Sequence, residues 1–386
     1  MKSIDIVYRY SAIDAAARPR PGDAEAALKR LDDGGRMIAE LCADAAEGDG
    51  TAERVIELDA HDLGFAKVYR AAPKQRPYAA ILGCSDARVP IELIFNEGPN
   101  DLFVVRVAGN GLGSDVLGSL KYAVAHLGGS LKLIVVLGHS GCGAVSAAVD
   151  VFLNPENYLS FVNKQSLRNI VDRLVVVVHT AARRMQATLG PDVAHRAGYR
   201  LALTETAILL NAALTAHTVQ QEMGDVAVHG VRAAYGSYLL ASHRVWAPRG
   251  GSSDHAGLAY PPADAAAFGT FADAVLQSDR IQGLLEHGAE HTSPEPGREF
   301  DVANRRLSDR LDYIRGRCRM RQRIESARVT RSDSGDRRGI GEARCQETLQ
   351  RSEVVATHDN DPVRHLIGRQ ANFLLRRKRH RRRLMP

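Results

Sequence analysis

Short apolar segments that alternate with helical ones constrain the fold of this 386-residue chain more than any other feature. Tyr78–Gly83 and Leu131–Leu137 have the length and composition of buried strands, and Asp101–Val107 is a third β-rich run. Between the last two, Val116–Leu127 has helical spacing. This alternation predicts an α/β fold with a mostly parallel central sheet flanked by helices.

Apolar spacing also predicts elements on both sides of this region. The expected helices are Asp23–Ala45, Ala52–Val68, Leu167–Met185, Thr204–Met223 and one or two within Asp264–Leu285, and the expected closing strands are Asp225–Val231 and Ser237–Trp246. Gly34 and Gly35 are expected to interrupt the helix Asp23–Ala45.

The charge is distributed unevenly along the chain. Residues 301–386 carry 23 Lys+Arg and 11 Asp+Glu, a balance of +12, which leaves −6 for residues 1–300 out of the total of +6. The last part includes a dense run of arginines, and such like-charge blocks are typical of disordered segments. We therefore expect an N-terminal segment 1–22, a main domain 23–248, a linker with accessory helices 249–300, and a disordered Arg-rich tail 301–386.

The sequence predicts neither export nor membrane insertion. Its longest apolar runs are far shorter than the ~18 residues of a spanning helix, and no apolar signal core follows Met1. We expect a cytoplasmic protein without a membrane partner. The five cysteines are widely scattered and odd in number, which argues against a disulfide framework. Each is therefore expected to be either metal-bound or simply buried.

Two short groups of polar residues follow two of the predicted strands, Tyr78–Gly83 and Leu131–Leu137. Cys84, Asp86 and Arg88 come directly after Tyr78–Gly83, while His139 and Cys142 come after Leu131–Leu137. Because sites in open parallel sheets form at the carboxyl ends of the strands, we expect these groups to converge.

Two thiols and one imidazole are the three protein ligands expected of a catalytic zinc with an open fourth position. Asp86 could either coordinate the metal or accept a hydrogen bond from what occupies the open position. Arg88 can hold that carboxylate ionised through a charge-assisted pair. The remaining cysteines, Cys42, Cys318 and Cys345, have no partner at ligand spacing, so burial is expected for them.

Three motifs resemble the plant-like branch of the β-class carbonic anhydrases. They occur in the order typical of the family, and the resemblance covers about Asp23–Trp246; the C-terminal extension after it is unmatched. The motifs are Cys84-Ser85-Asp86-Ala87-Arg88-Val89-Pro90, Phe103-Val104-Val105-Arg106-Val107-Ala108-Gly109-Asn110 and Gly138-His139-Ser140-Gly141-Cys142-Gly143-Ala144-Val145.

The resemblance implies a zinc lyase that reversibly hydrates carbon dioxide to bicarbonate and a proton. It implies one Zn²⁺ per chain and attack by a zinc-bound hydroxide that an Asp–Arg dyad orients. It also implies a homodimer or a higher homo-oligomer. The implied residues are the ligands Cys84, His139 and Cys142, the catalytic dyad Asp86 and Arg88, and the substrate contacts Gln75, Phe103 and Tyr122.

Two other functions are compatible with the same residues. The first is hydrolysis of a sulfur analogue, carbonyl sulfide or carbon disulfide, on the same scaffold. The second is a non-enzymatic zinc-stabilised protein whose basic tail binds nucleic acid. The Asp86–Arg88 pair argues against the second function, because a purely structural zinc does not require it. The tail itself is expected to be either an electrostatic arm for nucleic acid or an extension without a role.

Overall fold

The structure is a computed structural model that describes residues 3–11, 19–47, 50–63, 72–161, 163–224, 230–248 and 257–287. The chain divides into two units, residues 1–297 and 298–386, and every described residue belongs to the first. The expectations for the Arg-rich tail, including disorder and nucleic-acid binding, therefore lie outside the described residues. The same holds for residues 249–256 of the predicted linker.

Helices and strands alternate through most of the described chain. In chain order the elements are β1 (Ser3–Ser11), α1 (Ala24–Glu47), β2 (Thr51–Asp59), β3 (Ala79–Gly83), α2 (Ile91–Ile94), β4 (Leu102–Arg106), α3 (Ser114–Leu127), β5 (Leu133–His139), α4 (Gly143–Leu153), α5 (Gln165–Leu189), α6 (Tyr199–Glu222), β6 (Arg232–Tyr238), β7 (Val245–Trp246), α7 (Ala265–Leu276) and α8 (Asp279–His287).

The central sheet has the strand order β4-β3-β5-β6-β7. The pairs β3–β4, β3–β5 and β5–β6 are parallel, and only the short β7 runs antiparallel to its neighbour. Helices cover both of its faces. The predicted α/β fold with a mostly parallel sheet is therefore confirmed.

The period of two in a strand divides the sheet residues between two apolar cores. On β3, Ala80 and Leu82 belong to the larger core, which includes buried residues of α3 to α8. Ala79 and Ile81 belong to the smaller core on the opposite face, with residues of α1 and α2. All five residues of β3 are buried, because each face of the strand is covered by helices.

The chain order of the strands creates a switch point between β3 and β5. From β3 the chain passes to β4 on one side, and from β5 it passes to β6 on the other. The connections leave these two central strands in opposite directions, which opens a crevice at their carboxyl ends. Ligand sites in open α/β sheets occupy such crevices.

The helix predicted over Ala52–Val68 is wrong up to Asp59, and only the 3-10 turn Ala60–Leu63 is helical within its described part. Residues Thr51–Asp59 form β2, which pairs in parallel with β1 in a separate two-stranded sheet. Near its end, buried Ile56 and Leu58 alternate with exposed Glu57, the period of a strand rather than of a helix. Residues 64–68 lie outside the described part.

The break predicted at Gly34 and Gly35 is also wrong, because α1 runs through both residues without interruption. Gly34 has a packing reason to be glycine. A Cβ at this position would lie 2.0 Å from the carbonyl oxygen of Phe95. The missing side chain therefore lets α1 lie directly against the backbone that follows α2.

The C-terminal part of the described chain contains both helices that the pattern allowed, α7 and α8. The final strands are β6 and β7; β6 begins at Arg232, after the predicted strand 225–231, whose residues 225–229 are not described. Within the described ranges, no helix has both the length and the apolar character needed to cross a membrane.

Candidate metal centre

Three buried side chains converge at the switch point of the sheet. Cys84 directly follows β3, His139 is the last residue of β5, and Cys142 is the residue before α4. One ligand atom from each lies within 4.8 Å of the other two, and the two Sγ atoms are 3.9 Å apart. In a tetrahedral zinc site with Zn–S bonds of ~2.3 Å, the sulfurs are ~3.8 Å apart. The spacing of the thiols therefore fits this metal.

The orientation of His139 supports the same conclusion. Its Nδ1 lies 3.0 Å from the carbonyl oxygen of Ser140, which can only accept, so Nδ1 carries the proton. The lone pair is then on Nε2, which is buried and has no hydrogen-bond partner among the described residues. Buried polar atoms normally have a partner, and metal-binding imidazoles donate their other N–H to an acceptor in this way. The donor set therefore fits a metal ion.

The two thiols differ in pKa, with that of Cys84 lowered and that of Cys142 raised. The pKa of Cys84 is lowered to about 4, chiefly because the Cys142 thiol donates a hydrogen bond to its sulfur, with further contributions from the backbone N–H groups of Gly109 and Asp86. The same hydrogen bond, followed by burial, raises the pKa of Cys142 well above its usual range. A bound cation favours ionisation of both sulfurs, since thiolates are the form that binds metals.

Asp86 lies beside this group and is held by Arg88. The Arg88 Nε and Nη2 donate to its two carboxylate oxygens over 3.0 and 2.8 Å, and the Arg88 backbone N–H donates over 2.9 Å. These bonds lower the pKa of Asp86 to about 2 despite its partial burial, so the carboxylate is ionised at neutral pH. Its Oδ2 lies 3.9 Å from His139 Nε2, at the edge of the ligand group.

Backbone contacts fix the loop that carries the first ligand. Arg106, at the end of β4, donates from Nε to the carbonyl oxygen of Cys84 over 2.9 Å and from Nη2 to that of Asp86. Asn211 of α6 donates over 2.9 Å to the carbonyl oxygen of Gly109, whose loop packs beside the site. Sequence reasoning assigned neither residue a role. For Asn211 a signal existed, since it is a buried amide in an otherwise apolar part of α6.

The second ligand loop is held from the helix side. The N–H of Gly141, which lies between His139 and Cys142, donates to Glu205 Oε1 over 2.8 Å. Glu205 was also missed by the sequence analysis. The backbone of Gly141 is in the left-handed region, with φ of +64°, where residues with a Cβ are disfavoured.

The predicted substrate residues lie farther out. Gln75 is exposed in the loop before β3, and Phe103 of β4 is half-buried against the larger core. Tyr122 of α3 is 51% exposed and stacks on His126 with ring centroids 4.4 Å apart. Within the described residues, none of the three has a hydrogen bond or ring contact with the ligand group. Their roles remain predictions.

Fold and donor set together define an α/β domain with a Cys₂His group that could hold a metal ion at the switch point of a parallel sheet. Residues 79–237 match the profile of a protein family described as carbonic anhydrase. This matched region includes the whole ligand group and the Asp86–Arg88 pair. Residues 79–237 are therefore similar to the carbonic anhydrases that this profile describes.

Individual relatives match shorter parts of the chain. It is 55% identical to carbonic anhydrase 2 of Mycobacterium tuberculosis over 78 residues, which is 20% of this chain and 37% of the relative. It is 41% identical to a carbonic anhydrase of Mycolicibacterium smegmatis over 127 residues, 33% of this chain and 58% of the relative. The chain thus spans less than two thirds of the length of both curated relatives.

A solved structure shows the same kind of partial similarity. The β-carbonic anhydrase CafA of Aspergillus fumigatus is 22% identical, with a TM-score of 0.36, over 45% of this chain and 75% of the fungal protein.

Proposed function

We propose that this protein is a zinc-dependent carbonic anhydrase that interconverts carbon dioxide and bicarbonate. The observation that carries the proposal is the buried group of Cys84, His139 and Cys142 at the switch point, within a region that matches the carbonic anhydrase family. These three residues would hold one Zn²⁺ per chain through two thiolates and Nε2 of the imidazole. A zinc ion with an open position lowers the pKa of water towards ~7 and supplies a nucleophile near neutral pH.

The chain's own residues orient that nucleophile. Because Arg88 keeps Asp86 ionised, the Asp86 carboxylate can only accept a hydrogen bond. By accepting a hydrogen bond from the attacking hydroxyl group, this carboxylate directs a lone pair of the attacking oxygen towards carbon dioxide. A new carbon–oxygen bond forms, one proton passes to the solvent, and bicarbonate leaves. Arg88 has a second role, since its bidentate contact would keep the carboxylate of Asp86 from binding the metal itself.

The rest of the site keeps these groups in place. Arg106 donates to the backbone carbonyl oxygens of both Cys84 and Asp86, which fixes the position of the ligand relative to the carboxylate. The hydrogen bond from His139 Nδ1 to Ser140 leaves Nε2 as the nitrogen that would bind the metal. Gln75, Phe103 and Tyr122 remain the proposed substrate contacts, and as the family resemblance implies we propose a homo-oligomer, which light scattering after gel filtration would measure.

Stopped-flow hydration of carbon dioxide by the zinc-loaded full-length protein tests the proposal. The wild type should hydrate carbon dioxide, and Asp86→Asn should keep its zinc but be on the order of 10²–10⁴-fold slower, because the orienting acceptor is lost. Asp150→Asn is a matched control, since Asp150 forms a similar bidentate pair with Arg200 away from the ligand group. This variant should hydrate carbon dioxide at the wild-type rate.

Two results would contradict the proposal. One is a zinc-loaded wild type that does not accelerate hydration above the buffer rate. The other is a zinc-loaded wild type that hydrolyses carbonyl sulfide but does not hydrate carbon dioxide. The substrate of the site would then be the sulfur analogue.

A further inference from the structure

A buried carboxylate joins the second ligand loop to helix α6. Glu205 Oε1 accepts the N–H of Gly141 over 2.8 Å, and only 11% of the Glu205 side chain is exposed. Gly141 is one of two residues between His139 and Cys142. A single hydrogen bond at this position therefore restrains the backbone that carries two of the three metal ligands.

The other oxygen of the same carboxylate is paired with a residue of α8. Arg280 Nη2 donates to Glu205 Oε2 over 2.5 Å, and 30% of the Arg280 side chain is exposed. A largely buried carboxylate is costly without a cation, and Arg280 supplies that cation. Arg280 lies outside residues 79–237, the part of the chain that matches the family profile.

Helix α8 is docked closely enough to make this contact rigid. At the start of α6, a Cβ on Gly198 would lie 1.7 Å from the carbonyl oxygen of Leu284. The backbones of the two helices therefore touch directly, and Ile281 and Leu285 of α8 are buried in the larger core. The guanidinium of Arg280 thus comes from a well-anchored helix rather than from a loose segment.

We propose that Glu205 and Arg280 are positioning residues for the metal centre, through which α8 braces the loop His139–Cys142. The inference rests on the proposed function in one respect, that the ligand group binds zinc. A fixed loop aims the imidazole and the Cys142 thiolate at one point before the ion arrives. Groups that orient metal ligands in this way typically contribute 10–100-fold in metal affinity. Helix α8, which lies outside the part of the chain that matches the family profile, would then be part of the metal site.

Zinc affinity and the spectrum of the cobalt-substituted protein test whether Glu205 and Arg280 position the loop His139–Cys142. Competition with a chromophoric chelator should show that Glu205→Ala binds zinc about 10–100-fold more weakly than the wild type. In the Co²⁺ form its d–d bands should shift, because the ligands no longer hold one geometry. Glu205→Gln keeps an oxygen acceptor for the Gly141 N–H but loses the pair with Arg280, so its zinc affinity should lie between those of Glu205→Ala and the wild type.

Two further full-length variants distinguish an effect on the position of the metal ligands from an effect on the stability of the fold. Arg280→Met removes the cation of the pair and should weaken zinc binding in the same direction as Glu205→Ala; it also carries the test if Glu205→Ala does not fold. Arg184→Met breaks another bidentate ion pair, with Asp273, which holds α7 on α5. It should unfold at lower urea while its zinc affinity and cobalt spectrum stay unchanged.

The outcomes distinguish the brace from the function on which it rests. A wild type that binds no zinc refutes both proposals. Wild-type affinity and an unshifted cobalt spectrum in Glu205→Ala and Arg280→Met refute the brace alone. Equal losses of zinc affinity in Arg184→Met and Arg280→Met would also refute it, because they would reflect stability rather than position.

Discussion

Replacing Gly198 by alanine should destabilise the protein by pushing α8 away from α6. The backbone of Gly198 has φ of −86° and ψ of 3°, which an alanine can adopt, so the obstacle is purely steric. The new Cβ would lie 1.7 Å from Leu284 O, and real contacts of this kind are not shorter than 3.0 Å. The helices must therefore separate by more than 1 Å locally. Overpacking of this kind costs about 1–3 kcal/mol.

Gly283→Ala, within α8 itself, is the matched control. A Cβ there meets no atom within 4 Å, so only the higher helix propensity of alanine remains. This should stabilise the protein by up to about 1 kcal/mol. Urea unfolding can be followed by the fluorescence of Trp246, the only tryptophan, which is 8% exposed. Equal unfolding free energies for the two variants would refute the close docking of α8.

Three further predictions concern the site and the tail. Cys84→Ser, His139→Ala and Cys142→Ser should each lose most of the bound zinc, measured by atomic absorption after gel filtration, because two ligands hold the ion poorly. Arg88→Ala should retain zinc but hydrate carbon dioxide about 10–100-fold more slowly in stopped flow, because the dyad carboxylate loses its support. Removing residues 301–386 should leave zinc content and turnover unchanged, since all proposed site residues precede that segment; loss of either would contradict this.

The ligand group could be predicted because its parts are local in sequence. Cys84, Asp86 and Arg88 lie within five residues, and His139 and Cys142 within four. Each set follows an apolar strand, so a parallel sheet alone suffices to bring the two together. The Asp86–Arg88 contact is equally local, and the structure contains the expected ion pair.

Features that depend on distant pairing could not be predicted. The alanine, glutamates and arginine of Thr51–Asp59 allow a helix, but pairing with β1, 48 residues earlier, selects a strand. The contacts of Glu205 with Gly141 and with Arg280 join residues 64 and 75 positions apart. Only the docking of α6 and α8 beside the loop reveals them.

X-ray absorption at the zinc edge of the purified full-length protein tests directly whether Cys84, His139 and Cys142 form a zinc site. We expect about one zinc per chain, with two sulfur ligands at ~2.3 Å and nitrogen or oxygen ligands at ~2.0–2.1 Å. The imidazole should contribute its characteristic multiple scattering, and Cys142→Ser should reduce the sulfur count of any zinc that remains. Zinc bound by four sulfurs, or by nitrogen and oxygen alone, would show that these three residues do not form the site.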